Sequence, residues 1–330
     1  MTATEQIDAV DIGPLFGTDA TARNACDAAL WGALRRTGSA LITGFPGADK
    51  VDARARTGLE VFDLPETQLR AITTALIEPD NPNLYRAYWP CTPERLLQND
   101  FFDVGPDVHE AAPDLPDIDV LTELTLWPDP EPRTGWSDTV RAHYNHLNEV
   151  AQAMIRSIGR SAGFGEDVIR ARFDGTNSTL RFLNYRDGAA NSQPGPDGVI
   201  LSGGRHTDVS GLSLLWQGSP GLQAEGQDGV WRDIPKLPNA ISIHVGDVMT
   251  RLTDGAVPGT PHRVLACKGP RRSVGFFLEP RLSALVTPAN LPDDQTTIRD
   301  TYAWQLLTAF AKLPLWRGRI RDPEEAFADR

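Results

Sequence analysis

The spacing of apolar and polar positions changes character along the chain. Residues 9–17, AVDIGPLFG, read as a short strand ending at Gly13-Pro14. In residues 19–37 the apolar positions Cys26, Ala29, Leu30, Ala33 and Leu34 recur at helical spacing, and Gly38 reads as the helix stop. Residues 39–47, SALITGFPG, are strand-like, and 51–76 predict more helix, interrupted at Pro65. The stretch 77–136 is rich in Pro, Asp and aromatic residues and predicts long, partly ordered loops. Residues 137–163 form the clearest amphipathic helix, with Ser137 as its expected N-cap. After Gly175 short strand-like runs alternate with Gly, Pro and Asp turns: STLRFLNY, VSGLSLLWQG, GLQAEG, GVWRDIP, AISIHVGDVM, HRVLAC and RRSVGFFLEP. Such spacing predicts an all-β sandwich or barrel, and 294–312 return to helix. Four segments are expected: a mixed region 1–120, a helical support 121–175, a β-rich core 176–285 and a helical extension 286–330.

Composition narrows the function classes. The 330 residues are 40% hydrophobic and 23% charged, ordinary for a globular chain with a sizeable core. The net charge is −12, with positive residues scattered, which argues against nucleic acid or an anionic membrane as partner. The three cysteines, Cys26, Cys91 and Cys267, are far apart and suggest neither a disulfide framework nor a zinc knuckle. No secretory signal opens the sequence, and no apolar run reaches the roughly 20 residues of a membrane span. A reducing cytoplasm is the expected location.

Candidate chemistry starts in GGRHTDVSGLSLL. In a strand, His206 and Asp208 would share one face, with Thr207 pointing away. Alone, the pair reads first as a surface strand end with a His–Asp hydrogen bond, and only second as two ligands of one ion. Of the six histidines, His262 in GTPHRVLACKGPRRSVGFFLEP also precedes a strand-like run. Two histidines and one carboxylate can cap one face of a metal and leave the other open, as in the facial triad of non-haem iron oxygenases. Downstream, Arg271 and Ser273 are again two apart, and a guanidinium beside a hydroxyl makes a good carboxylate clamp. No GxSxG or Walker-type loop occurs, and Gly203-Gly204 reads as a turn into the His206 strand.

The ordered set HxD, a distant HRV, RxS and FF.EP resembles the isopenicillin-N-synthase-like branch of the Fe(II)/2-oxoglutarate dioxygenases. The resemblance extends over residues 8–285, through AVDIGPLFG, ALRRTGSALITGFPG, NDFFDVG, LRFLNY and the stretch SPGLQAEG to PHRV. It implies a mixed α/β (α+β) fold: a double-stranded β-helix, or jelly-roll, core with flanking N-terminal and C-terminal helices. It further implies that His206, Asp208 and His262 hold Fe(II). Arg271 and Ser273 would bind the distal carboxylate of 2-oxoglutarate, assisted by Tyr185, with O2 at the last metal position. The implied reaction hydroxylates a small molecule, releasing succinate and CO2. Desaturation, epoxidation or ring closure would use the same site, and a role in specialised metabolism follows from the family alone. Halogenation is disfavoured, because Asp208 frees no place for halide.

Some positions depart from the family pattern. His244 in IHVGD stands where Asn is common, Gly259 where a Ser is common, and Arg186 where proline is common. Arg186 has two open readings: a cation at the mouth of the site for an acidic substrate, or a solvated loop residue. Aromatic candidates for the pocket are Trp89, Phe101, Phe102, Trp216 and Phe277, of which Trp216 and Phe277 equally suit a core, and one of Phe101 and Phe102 should point inward. His143 and His146 read as helix-surface or packing residues, His244 as a hydrogen-bonded core histidine, and His109 as solvent-facing. Two other functions compete. One is an iron oxidase that uses RxS for the substrate's own carboxylate and needs no 2-oxoglutarate. The other is a non-catalytic small-molecule-binding protein on the same scaffold.

Overall fold

The computed structural model describes residues 7–91, 99–109, 111–174, 177–185, 192–266, 268–291 and 296–328. The strands are β1 (Ala9–Asp11), β2 (Ser39–Thr43), β3 (Tyr88–Trp89), β4 (Asp100–Val104), β5 (Thr179–Tyr185), β6 (Gln193–Pro194) and β7 (Ile200–His206). They continue with β8 (Leu212–Gln217), β9 (Leu222–Glu225), β10 (Trp231–Asp233), β11 (Ile241–Val245), β12 (His262–Leu265) and β13 (Arg271–Leu278). The helices are α1 (Ala20–Thr37), α2 (Ala48–Gly58), α3 (Glu66–Ala71), α4 (Trp136–Ala162), α5 (Glu166–Phe173), α6 (Asp247–Leu252), α7 (Tyr302–Lys312) and α8 (Pro323–Ala328).

Two sheets face each other, in the strand orders β1-β2-β11-β8-β13-β5-β4-β3 and β10-β9-β12-β7-β6. Only β1 and β2 pair in parallel among the described strands; every other ladder is antiparallel. From β5 to β13 the chain crosses repeatedly between the sheets, which is the jelly-roll arrangement.

Side-chain alternation divides the larger sheet into two faces. Leu180 and Phe182 of β5 and Val274, Phe276 and Leu278 of β13 are buried in the main apolar core with Val150, Ala151 and Met154 of α4. The ring of Tyr144 meets Phe276 edge-on at 5.3 Å. The intervening residues Arg181, Leu183, Tyr185, Arg271, Ser273 and Phe277 face the space between the sheets. Helix α1 is tied to α4 by Arg160, whose Nε and Nη2 each donate to the Asp27 carboxylate at 2.7 Å.

Several local expectations change. The long helix begins at Trp136, with Gly135 in the left-handed region at its N-cap; Ser137 instead bonds the Glu131 carboxylate through its amide and hydroxyl. Residues 100–104 form β4 rather than loop, because both neighbours in the sheet pair with them. Gly203 and Gly204 lie inside β7, not in a turn. The C-terminal helix starts only at Tyr302, where the Thr301 side chain caps it. Cys26 and Cys91 form no disulfide, and Cys267 lies outside the described residues.

Gly38 ends α1 as expected, at φ 70°, and its carbonyl accepts from the Val245 amide at 2.9 Å and from the Thr260 hydroxyl. A Cβ there would lie 2.7 Å from the Pro258 carbonyl oxygen. Gly38→Ala combines left-handed strain with this clash, so it should lower unfolding stability by about 1–3 kcal/mol in urea denaturation. An unchanged midpoint would contradict the role of this turn.

Candidate active site

His206 ends β7 and His262 opens β12, and the two pair across the ladder of the smaller sheet. Between this pair and the Val264–Gly203 pair, β7 carries one residue more than β12. Such a bulge re-aims side chains at a strand end. Asp208 does not share a strand with His206, contrary to the alternation argument; it sits past the end of β7, in the turn to β8. The turn is held by the Asp247 amide, which donates to the Asp208 carbonyl at 2.8 Å. Gly246 permits this approach, since a Cβ there would lie 2.0 Å from the Ser210 carbonyl oxygen.

The three side chains converge. One ligand atom from each of His206, Asp208 and His262 lies within 4.8 Å of the others. Asp208 Oδ1 is 3.5 Å from His206 Nε2, and Oδ2 is 3.7 Å from His262 Nε2. His206 Nδ1 donates to the Gly204 carbonyl at 2.9 Å, and His262 Nδ1 donates to the Thr260 carbonyl at 3.1 Å. A carbonyl only accepts, so each Nδ1 carries the hydrogen and each Nε2 offers its lone pair inward. Ser213 donates to Asp208 Oδ2. Burial favours the neutral Asp208 carboxyl, but His262 and His206 outweigh it and hold the group well below the usual carboxylate range. Burial pushes His262 below the ordinary histidine value; for His206 the same push is overcome by its bond to Asp208, which raises it. Two imidazole lone pairs and one ionised carboxylate on one side of a point fit a divalent transition metal with open positions.

Arg271 and Ser273 share the cavity-facing side of β13, as their spacing predicts, and Arg271 Nη1 donates to Ser273 Oγ at 3.3 Å. Arg271 is 1% exposed, and Tyr185, its cross-strand partner, places its ring 5.0 Å from the guanidinium carbon. Its Nε has no hydrogen-bond partner, and it forms no ion pair among the described residues. A buried guanidinium cannot lose its charge, so it calls for an anion.

These groups line one cavity of about 400 Å³, together with Phe101, Trp216 and Phe277. Phe102 points to the opposite face of β4, against Trp127 and Trp136. Trp89 is not in the wall; it stacks behind Phe101 at 5.3 Å. Trp216 is also anchored, its Nε1 donating to Asp52 at 2.7 Å. Arg186 lies outside the described residues. His244 is buried, bonds Ser242 at 3.1 Å, and is pushed down to about 3 by burial. His143 packs in the core and His146 bonds the Pro46 carbonyl at 2.6 Å. His109 is half-buried and bonds the Glu123 carbonyl at 3.2 Å, so it does not face solvent as expected.

Sequence reasoning overlooked Arg181, Glu279 and Tyr302, which line the same cavity. The signal was present: Arg181 lies four before Tyr185, and Glu279 lies six after Ser273, on the same alternating face.

Residues 177–280 match the family model described as the 2OG-Fe(II) oxygenase superfamily. The chain is 29% identical over 287 residues to isopenicillin N synthase of Streptomyces clavuligerus, covering 86% of this chain and 87% of that one. It is 32% identical over 180 residues to a 1-aminocyclopropane-1-carboxylate oxidase of Musa acuminata, covering 53% and 57%. A Neurospora crassa protein crystallised with alpha-KG and thymine shares the fold at TM-score 0.70 and 19% identity, over 89% of this chain and 91% of that one. Residues 177–280 thus carry a 2OG-Fe(II) oxygenase superfamily domain, and the chain around it is similar to isopenicillin N synthase. These matches make it an oxidoreductase of the non-haem iron dioxygenase class, a family that acts on small molecules with Fe(II) and O2 and, in the structural neighbours crystallised with alpha-KG, with 2-oxoglutarate. Among the described residues no helix is long and apolar enough to cross a membrane.

Burial pushes Glu279 up to about 7 against the pull of Arg86 and Arg181, with Asp103 adding to the rise. The ordinary value is 4.5, so the folded state holds a proton that the unfolded chain releases between these two values. The stability this confers is complete below about 4.5 and is lost as pH rises through about 7. Wild type should therefore lose stability relative to Glu279→Gln across that window, on the order of 3 kcal/mol. Urea midpoints of both proteins at several pH values measure it; a constant difference contradicts the raised carboxyl.

Proposed function

We propose that the protein is an Fe(II)- and 2-oxoglutarate-dependent oxygenase that oxidises an unactivated C–H bond of a small molecule. In the hydroxylating form, substrate, O2 and 2-oxoglutarate give hydroxylated substrate, succinate and CO2. His206, Asp208 and His262 would hold the metal, and Arg271 with Ser273 would take the far carboxylate of 2-oxoglutarate, with Tyr185 against it. On this reading residues 176–285 are the catalytic core and 1–120, 121–175 and 286–330 its supports. The single observation that carries the reading is Arg271, fully buried, without an ion pair among the described residues, and in one cavity with a two-histidine, one-carboxylate cluster.

The bound iron and 2-oxo acid supply the oxidising chemistry. The chain supplies geometry and environment. Thr260 and Gly204 carbonyls fix the two imidazoles, so neither ring can turn its lone pair away. Ser213 orients the Asp208 carboxylate. The planar Arg271 fork and the Ser273 hydroxyl set one end of the 2-oxo acid, and the Leu183, Leu215 and Val264 side chains keep water from the middle of the cavity.

Asp208→Ala and His262→Ala should each lose tight Fe(II) binding, seen by anaerobic titration, together with all turnover. Full activity in either would refute the triad. In the wild-type protein, 2-oxoglutarate added after Fe(II) should develop a weak visible charge-transfer band. Arg271→Ala should then need about tenfold to a hundredfold more 2-oxoglutarate, since a buried carboxylate loses a charged partner. Iron binding without a band would favour the second reading, an iron oxidase that uses no 2-oxoglutarate, for which the likeness to isopenicillin N synthase over 86% of the chain speaks.

A further inference from the structure

The cavity has a second charged end. Arg181 stands opposite Gly275 on the β5–β13 ladder, four positions from the pair formed by Tyr185 and Arg271. At about 3.3 Å per residue, the two arginine positions are roughly 13 Å apart, too far to grip one small carboxylate together.

Arg181 is pre-positioned but not saturated. Its Nε and Nη2 donate to the two Asp103 oxygens at 2.7 Å each, and its guanidinium carbon lies 4.1 Å from the Phe101 ring centroid. Nη1 makes no hydrogen bond among the described residues, and the side chain is 29% exposed, within the cavity wall. The Tyr302 hydroxyl, which feels the Glu279 carboxyl, is buried, lines the same cavity and has no hydrogen-bond partner among the described residues. The buried Glu279 carboxyl receives only long bonds, 3.5 Å from the Thr179 hydroxyl and 3.4 Å from Asn177. Polar groups this buried are normally satisfied, so their shortfall points to a ligand.

Charge selects the ligand's sign. Arg86, buried behind Thr179 and hydrogen-bonded to its hydroxyl, forms no ion pair among the described residues. The groups acting on Glu279 are thus Arg86 from the segment before β3, Asp103 from β4, and Arg181 and Thr179 from β5. Tyr302 of α7 and Tyr85 feel the same carboxyl. Two fixed cations face one fixed anion, Asp103, and Glu279 is pushed up to about 7 by burial. An ammonium would add a third cation; a carboxylate balances the set.

We propose that Arg181, Glu279 and Tyr302 form the substrate-recognition end of the cavity, and that the substrate is a small carboxylic acid whose carboxylate sits on Arg181 Nη1. This rests on the oxygenase reading above. The middle of the cavity, between the two arginines, is then where the reacting C–H lies.

The test uses protein loaded with Fe(II) and 2-oxoglutarate and a fixed panel of alkyl and aryl carboxylic acids. Each acid is matched with its carboxamide and its primary amine. Thermal midpoint and succinate release over background are read. Acids should raise both, with amides and amines at least tenfold weaker. The double variant Asp103→Leu with Arg181→Met removes the buried pair together, so that no carboxylate is stranded. It should lose the preference for acids while the 2-oxoglutarate charge-transfer band still forms. Apparent acid affinity should fall as pH rises through about 7, because ionised Glu279 repels the ligand, and Glu279→Gln should flatten that fall. A panel in which amides or amines match the acids, or in which no acid acts, overturns the proposal. A flat wild-type pH profile removes Glu279 from the site. Absence of the band in wild type would instead defeat the oxygenase reading, whereas a band without acid preference defeats this inference alone.

Discussion

The interaction that organises the molecule's interior is a positive charge that cannot be neutralised from within. Arg271 is buried on β13 with a hydroxyl and an aromatic ring beside it and no carboxylate among the described residues. Leaving such a group unpaired costs several kcal/mol, which a fold tolerates only if the surrounding backbone is over-determined. That condition is met on the far side of the same strands. Val274, Phe276, Phe182 and Leu180 are locked into the helical core, so the register of β5 and β13 cannot slip without exposing them. The apolar face therefore stabilises the charged one.

The same logic links the metal-ligand cluster to elements distant in sequence. His262 is oriented by the Thr260 carbonyl, and the Thr260 hydroxyl donates to the carbonyl of Gly38 at the end of α1. Asp208 is oriented by Ser213 on β8 and by the turn into α6. The ligand atoms thus inherit their positions from both sheets and from the first helix. A cluster so placed is rigid on one side and open on the other, where His206 is half-exposed.

Local chemistry was legible in the sequence; long-range pairing was not. The HxD pair, the distal histidine and the RxS clamp are short spacings, and the structure brings all five residues to one cavity. Gly38 as a helix stop was legible because left-handed caps are local. Strand β4 was hidden because its Asp-rich surroundings resemble loop; its partners lie about 80 residues away on β5. His206 and Asp208 meet through a turn and not through strand alternation, because β7 ends at His206. Arg181 escaped notice because its meaning depends on Asp103, a partner separated by 78 positions. Nothing in residues 99–104 distinguishes Phe101, which faces the cavity, from the core residue Phe102 until the strand's register is known.

The division of the cavity explains why an oxidising site can be both polar and dry. Its cations are segregated at Arg271 and Arg181, each already braced by aromatic contact, with Tyr185 and Phe101 respectively. Between them Leu183, Leu215 and Phe277 present hydrocarbon. Anions arriving at the ends displace water that the guanidinium groups would otherwise hold, and the middle offers water no partner. Water exclusion then follows from occupancy of the two ends. With a 2-oxo acid on Arg271 and a carboxylate on Arg181, both charged ends would be satisfied, and the apolar middle would be left for hydrocarbon, where a C–H bond is the group that fits.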